Sequence, residues 1–259
     1  MSLAHRSVYA TQPSSLRQQV DDLLHDAPRV ETEGTLVGLI VPDSNRLSGA
    51  SIAARAYKLL EGASFDTAML VAPSHEGAFG RLAICTADTY YTPLGDVPVN
   101  DALRNELCDE DDDIYLDDRG HYHTEGANVQ IPFLQRTLGD DFTVVPIAMG
   151  EESPELCREL GAAIGEVMYG KQAIVIGSAD LLRVKEGALT RFTDALEAFN
   201  LSELMYLLGS ETVLVEGMGA VLVTLIAAQR RGANRVEILR LSEPTDDEPG
   251  AFACALWRT

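Results

Sequence analysis

Short apolar runs bounded by turn residues alternate along this chain with segments whose apolar positions recur every three to four residues. The runs Thr35–Pro42, Thr67–Ala72, Arg81–Ala87, Thr143–Met149 and Ala173–Ser178 read as buried strands, and Arg235–Leu241 and Ala251–Trp257 add two more near the end. Between them, Ser14–Leu24 places Leu16, Val20, Leu23 and Leu24 on one helical face. Ser48–Leu60 opens on a serine cap and aligns Ile52, Ala53, Ala56, Leu59 and Leu60. Further helices are expected at Asp101–Leu107, Val129–Leu138, Pro154–Val167 and Ala188–Leu208. Gly219–Gly232 is the most apolar of all, with Gly232 as its stop. Strands alternating with helices imply an α/β layered sheet covered on both faces. No internal repeat and no shift in composition marks a linker, so residues 1–259 are expected to form one domain.

Composition narrows the function classes. The chain carries 40 Asp and Glu against 20 Lys and Arg, a formal charge of −20 in 259 residues. A surface this acidic repels phosphate backbones and anionic lipid, which argues against nucleic-acid and membrane-surface partners. No apolar run approaches the ~20 residues of a membrane span, and the N-terminus lacks a signal-peptide core, so a cytoplasmic location is expected. The bases are arginines apart from Lys58, Lys171 and Lys185, a bias that fits a salt-rich cell interior or an acidic proteome equally. Cys85, Cys108, Cys157 and Cys254 have no paired spacing, which speaks against a zinc knuckle, a redox dithiol or a disulfide framework. The run Asp109–Asp113 with Asp117 and Asp118 lacks the glycine of a calcium loop and reads as a solvated surface loop.

Ligands of open α/β sheets bind beyond the carboxyl ends of the strands. Four strand ends offer chemistry there: Asp43 after the first run, His75 after the second, Asp180 after Ala173–Ser178, and Glu216 after the short run Val213–Val215. Each alone is what any strand end offers. Together they describe a carboxylate-rich pocket with one imidazole. Serine hydrolase, dinucleotide-loop and P-loop readings fail for want of their spacings.

The stretch from Val71 to Asn100, VAPSHEGAFGRLAICTADTYYTPLGDVPVN, resembles the signature of the Memo family, and the resemblance runs along nearly the whole chain. VPDSNRLSGASIAARAYKLL, EGANVQIPFLQ, TVVPIAMG and IVIGSADL each resemble a family segment, in the family's order and spacing. The resemblance implies a central mixed sheet flanked by helices, a fold similar to class III extradiol dioxygenases. It also implies one metal where strand ends meet, held by two histidines and a cysteine in Memo proteins and by two histidines and a glutamate in the dioxygenases. Here Asp43 stands where the family has a first histidine, His75 is kept, and Glu216 falls on the cysteine. Asp180 is kept, Arg183 replaces a histidine, Glu125 replaces another, and Asn128 replaces a glutamate.

Two readings follow. In one, Asp43, His75 and Glu216 hold Fe(II) or Mn(II) as a hard two-carboxylate, one-imidazole set in a non-haem oxidoreductase acting on a small anionic or phenolic substrate. Arg183 then pairs with the substrate, His123 acts as an acid or base, and Asp180 orients a ligand. In the other, Arg183 neutralises Asp43 or Glu216 and the protein is a catalytically silent binding or scaffold protein. Memo relatives occur beside a radical-SAM protein and a second small partner family, which the resemblance offers as protein partners. Against each residue stands a plain structural role: His75 as a strand cap, His123 on the surface, Asp180 capping the next turn.

Overall fold

The computed structural model describes the chain except residues 1–8, 31–32, 44–46, 76–78, 80–81, 111–113 and 122–125. Its elements in order are α1 (Pro13–Asp26), β1 (Thr35–Val41), α2 (Leu47–Tyr57) continued by a 3-10 turn at Lys58–Leu60, β2 (Thr67–Pro73), β3 (Leu82–Ile84), β4 (Thr89–Thr92) and β5 (Gly95–Pro98). Then come α3 (Asp101–Glu110), β6 (Ile114–Leu116), α4 (Gly126–Thr137), β7 (Thr143–Met149), α5 (Pro154–Val167), β8 (Ala173–Ser178) and β9 (Asp180–Val184). The chain closes with α6 (Ala188–Glu197), α7 (Leu201–Gly209), β10 (Val213–Glu216), α8 (Met218–Arg230), β11 (Arg235–Ser242) and β12 (Gly250–Arg258).

Ten strands form a mixed sheet in the order β10-β9-β12-β1-β8-β2-β7-β3-β6, with β11 also paired to β12. Its centre, β1-β8-β2-β7, is parallel, and β12 and β3 flank it antiparallel. The central runs are continuously apolar because both faces are covered. Leu39, Val41, Leu70 and Ile176 pack under α1, α2 and α4, whereas Ile40, Met69, Val71 and Val175 pack under α5 and α8 on the other side. α8 lies so close to the sheet that a Cβ on Gly177 would sit 2.6 Å from the Ala220 carbonyl oxygen.

The outermost pair departs from a simple edge. Only Asp180 and Leu181 of β9 pair with β12, so β9 runs on past the carboxyl end of the parallel strands. β10 returns antiparallel along it and brings Glu216 back opposite Asp180.

Several expectations are corrected. Ala188–Leu208 is two helices: Phe199 takes a positive φ of 54°, and Asn200 caps α7 by accepting the Glu203 N–H at 3.1 Å. Ser48 lies within α2 instead of capping it. The acidic segment is only partly a loop, because Ile114–Leu116 pairs with β3. Its Asp118 accepts the Thr86 N–H at 2.9 Å. Thr89–Pro98, within the stretch read only for its resemblance, makes the β4–β5 hairpin. Among the described residues, no helix is long and apolar enough to cross a membrane.

Candidate functional site

Three strand ends and one returning strand converge at the carboxyl end of the sheet. Asp43 lies two residues past β1, and its N–H donates to Asp180 Oδ1 at 3.1 Å. The Ala179 N–H donates to the Val41 carbonyl at 2.9 Å, which locks the ends of β1 and β8 together. His75 follows β2, where the Ser74 N–H donates to the Met149 carbonyl at 3.0 Å. Glu216 ends β10, and Gly217 turns the chain into α8 with φ of 80°. A side chain at Gly217 would collide with the Ser178 carbonyl and reach within 3.2 Å of Pro73 Cδ, so glycine is required by both conformation and space.

The side chains form a line, carboxylate, imidazole, carboxylate. His75 Nε2 is 2.6 Å from Asp43 Oδ2, and Nδ1 is 3.6 Å from Glu216 Oε1. Asp43 is 1% exposed, His75 23% and Glu216 43%, so the line runs from the interior to the pocket mouth. The hydrogen bond to Asp43, with the Glu216 carboxylate behind it, pushes the His75 pKa up to about 10 against the opposing effect of burial. Both carboxylates favour the protonated form of this ring.

A buried polar chain holds Asp43 from behind. Ser178 Oγ donates to Asp43 Oδ1. Gln130 Nε2 donates to Ser178 Oγ at 3.1 Å and to the Pro42 carbonyl at 2.8 Å, and the Tyr57 hydroxyl donates to Gln130 Oε1 at 2.8 Å. The Tyr57 ring stacks on Phe133 with centroids 4.9 Å apart. Each of these side chains is almost fully buried, and every polar partner is matched, so the network fixes the orientation of Asp43.

A fourth acid was not anticipated. Glu152, in the turn between β7 and α5, faces the same cluster: burial raises its pKa to about 7, with Asp43 and Glu216 adding to the rise and the Gly219 N–H and His75 opposing it. Its Oε1 is buried with no hydrogen-bond partner. The strand-end rule that selects Asp43 and His75 selects this turn as well, once applied to Thr143–Met149.

The remaining candidates are placed apart. Asp180, 2% exposed, serves the Asp43 backbone. Arg183 is 60% exposed on β9 and pairs at 3.7 Å with Glu211, so it neither neutralises Asp43 or Glu216 nor offers its guanidinium to an anionic substrate at the cluster. His123 and Glu125 lie outside the described residues. His121, read as flanking an acidic loop, instead has Nε2 3.0 Å from the Ala83 carbonyl.

Whether these residues suit a divalent metal is a question of free lone pairs. Both ring nitrogens of His75 face carboxylates, and a protonated imidazole has no lone pair to give. Among the described residues, no three His, Cys, Asp or Glu side chains are arranged to hold an ion. As the side chains are arranged here, a metal would have to displace the His75 proton and turn the ring away from Asp43.

Residues 2–249 match the family model described as Memo-like protein. A MEMO1 family protein from Methanosarcina barkeri is 30% identical over 217 residues, covering 81% of this chain and 80% of the relative. One from Sulfolobus acidocaldarius is 29% identical, covering 87% and 86%. The fold is similar to that of the uncharacterized protein JW3007 from Escherichia coli K12, with a TM-score of 0.59 at 14% identity over 85% of this chain and 99% of that one. With a family match over nearly the full length and relatives of about 30% identity, the chain belongs to the Memo family.

Proposed function

We propose that this Memo-family protein is a binding protein whose strand-end pocket takes a small cationic or donor-rich ligand, with the His75 imidazolium standing where the extradiol-like reading places a metal. One observation carries this reading: His75 Nε2 is held by Asp43 at 2.6 Å, while Nδ1 faces the Glu216 carboxylate at 3.6 Å. Among the described residues, Asp43, Asp180, Glu216 and Glu152 outnumber the one imidazole, so the pocket favours positive charge. An anionic substrate is repelled there, and Arg183 is not at hand to receive it.

A second reading, a metal-dependent non-haem oxidoreductase, is favoured by the orphaned Oε1 of Glu152, which would satisfy a cation. It requires His75 to lose a proton and turn away from one carboxylate. Elemental analysis separates the two, on protein purified without oxygen and reconstituted with Fe(II) or Mn(II), beside the Glu216→Ala variant. The binding reading expects metal far below one ion per chain in both proteins. Near-stoichiometric metal that vanishes in the variant overturns it and supports the metal-dependent reading.

A further inference from the structure

The opposite end of the sheet carries a second site of contrary charge. A cavity of about 650 Å³ opens where β1 begins, just before β2 and β8 begin, and where α8 and β12 end. Its lining includes Lys171, Arg231 and Arg258 and contains no Asp or Glu, although acids outnumber bases two to one in the chain. Since β1, β2 and β8 are parallel, this is their amino end, roughly 20 Å of strand away from Asp43 at about 3.3 Å per residue.

The cations differ in how they are held. Arg231 is fixed by backbone: Nη1 donates to the Ala173 carbonyl at 2.7 Å and Nη2 to the Lys171 carbonyl at 3.1 Å. Lys171 pairs with Glu106 at 2.6 Å, outside the cavity lining. Among the described residues, no carboxylate pairs with Arg231 or with Arg258. The two guanidinium groups also feel each other: Arg258 and burial both lower the Arg231 pKa, burial the more. Two like charges line one cavity, one of them rigidly positioned, and the lining supplies no acid to balance them, which suits an anion there. Tyr169, 81% exposed, and Phe65 give the same cavity an aromatic rim for the uncharged part of a ligand.

We propose that this amino-end cavity binds the phosphate group of a small phosphorylated molecule, with Arg258 and Arg231 clamping the phosphate and Lys171 at its side. A cavity of this volume suits a small ligand. The guanidinium fork matches phosphate oxygens in a way that a lysine surface does not. The site is independent of the strand-end cluster and of whether that cluster holds a metal.

The test uses the full-length protein and inorganic pyrophosphate as the probe, titrated calorimetrically at constant ionic strength. Arg258→Glu is the main variant, because Arg258 holds no backbone carbonyl through its side chain in the way Arg231 does. Arg240→Glu, exposed on β11, is the charge-matched control. The expected result is saturable binding, weakened at least tenfold by Arg258→Glu and less than twofold by Arg240→Glu. Amide shifts on pyrophosphate addition should centre on Lys171, Gln172 and Arg231. Absence of saturable binding overturns the proposal, and so does equal weakening by the two variants, which marks a general charge effect.

Discussion

The two ends of the parallel strands use charge in opposite ways. At the carboxyl end, acids gather around one imidazole and Asp43 is held from within: it faces both His75 and Ser178, and a chain through Gln130 and Tyr57 backs it. At the amino end, Arg231 donates to two carbonyls, and among the described residues no carboxylate pairs with it or with Arg258. The first end matches most of its polar atoms internally and keeps an excess of acids, and the second lines a cavity with bases and no acid. The two ends therefore suit ligands of opposite charge.

Replacing Asp43 breaks the first end most. Asp43→Ala strips the imidazolium of its closest partner and leaves Ser178 without its acceptor, and it should cost about 3 kcal/mol, the scale of a buried pair broken on one side. Chemical denaturation reads this as a lower midpoint with an unchanged slope. A loss below about 1 kcal/mol would mean that the buried chain does not depend on the carboxylate.

Next in size is the pH dependence. A folded-state pKa of about 10 for His75 lies above its ordinary value of 6.5, so its stabilising contribution is full below 6.5 and is lost as pH rises towards 10. Glu152, raised from 4.5 to about 7, also binds its proton more tightly when folded, so stability falls further between pH 4.5 and 7. Glu152→Gln should flatten the lower window and leave the upper one. Stability that rises from pH 4.5 to 7 in the wild type but not in this variant would reverse the sign assigned to Glu152.

Smaller effects sharpen the contrast. Tyr57→Phe removes the donor to Gln130 inside a stacked, fully buried ring and should cost about 1 kcal/mol in thermal denaturation. Glu216→Gln, at the pocket mouth, should change stability by less than about 0.5 kcal/mol yet lower the His75 pKa, because it removes one of the two carboxylates on the ring.

Much of this was legible in the sequence. The central strands were visible because both their faces are buried, which makes them unbroken apolar runs: Thr143–Met149 and Ala173–Ser178 match residue for residue. Elements that rest on pairing were not: β6 is three residues long and set among aspartates, and β9 begins on Asp180 directly after β8. The split between α6 and α7 was encoded in Asn200 and Glu203, a capping pattern masked by continuous apolar periodicity on either side. At the site, reading strand ends selected Asp43, His75 and Glu216, and the fold brings the three together. Arg183 was assigned because it replaces a histidine in the family resemblance, but β9 runs past the sheet and carries it to Glu211. Nothing local in the chain foretold the amino-end cavity, because Lys171, Arg231 and Arg258 come from three distant segments.

The protonation state of His75 is the measurement that bears most directly on the carboxyl end. Nitrogen-15 NMR of the imidazole rings, with His75 assigned through the His75→Gln variant, should show both ring nitrogens protonated from pH 5 to 9 and titrating near 10. A neutral ring at pH 7, with one nitrogen unprotonated, would contradict the account and return that lone pair to a metal.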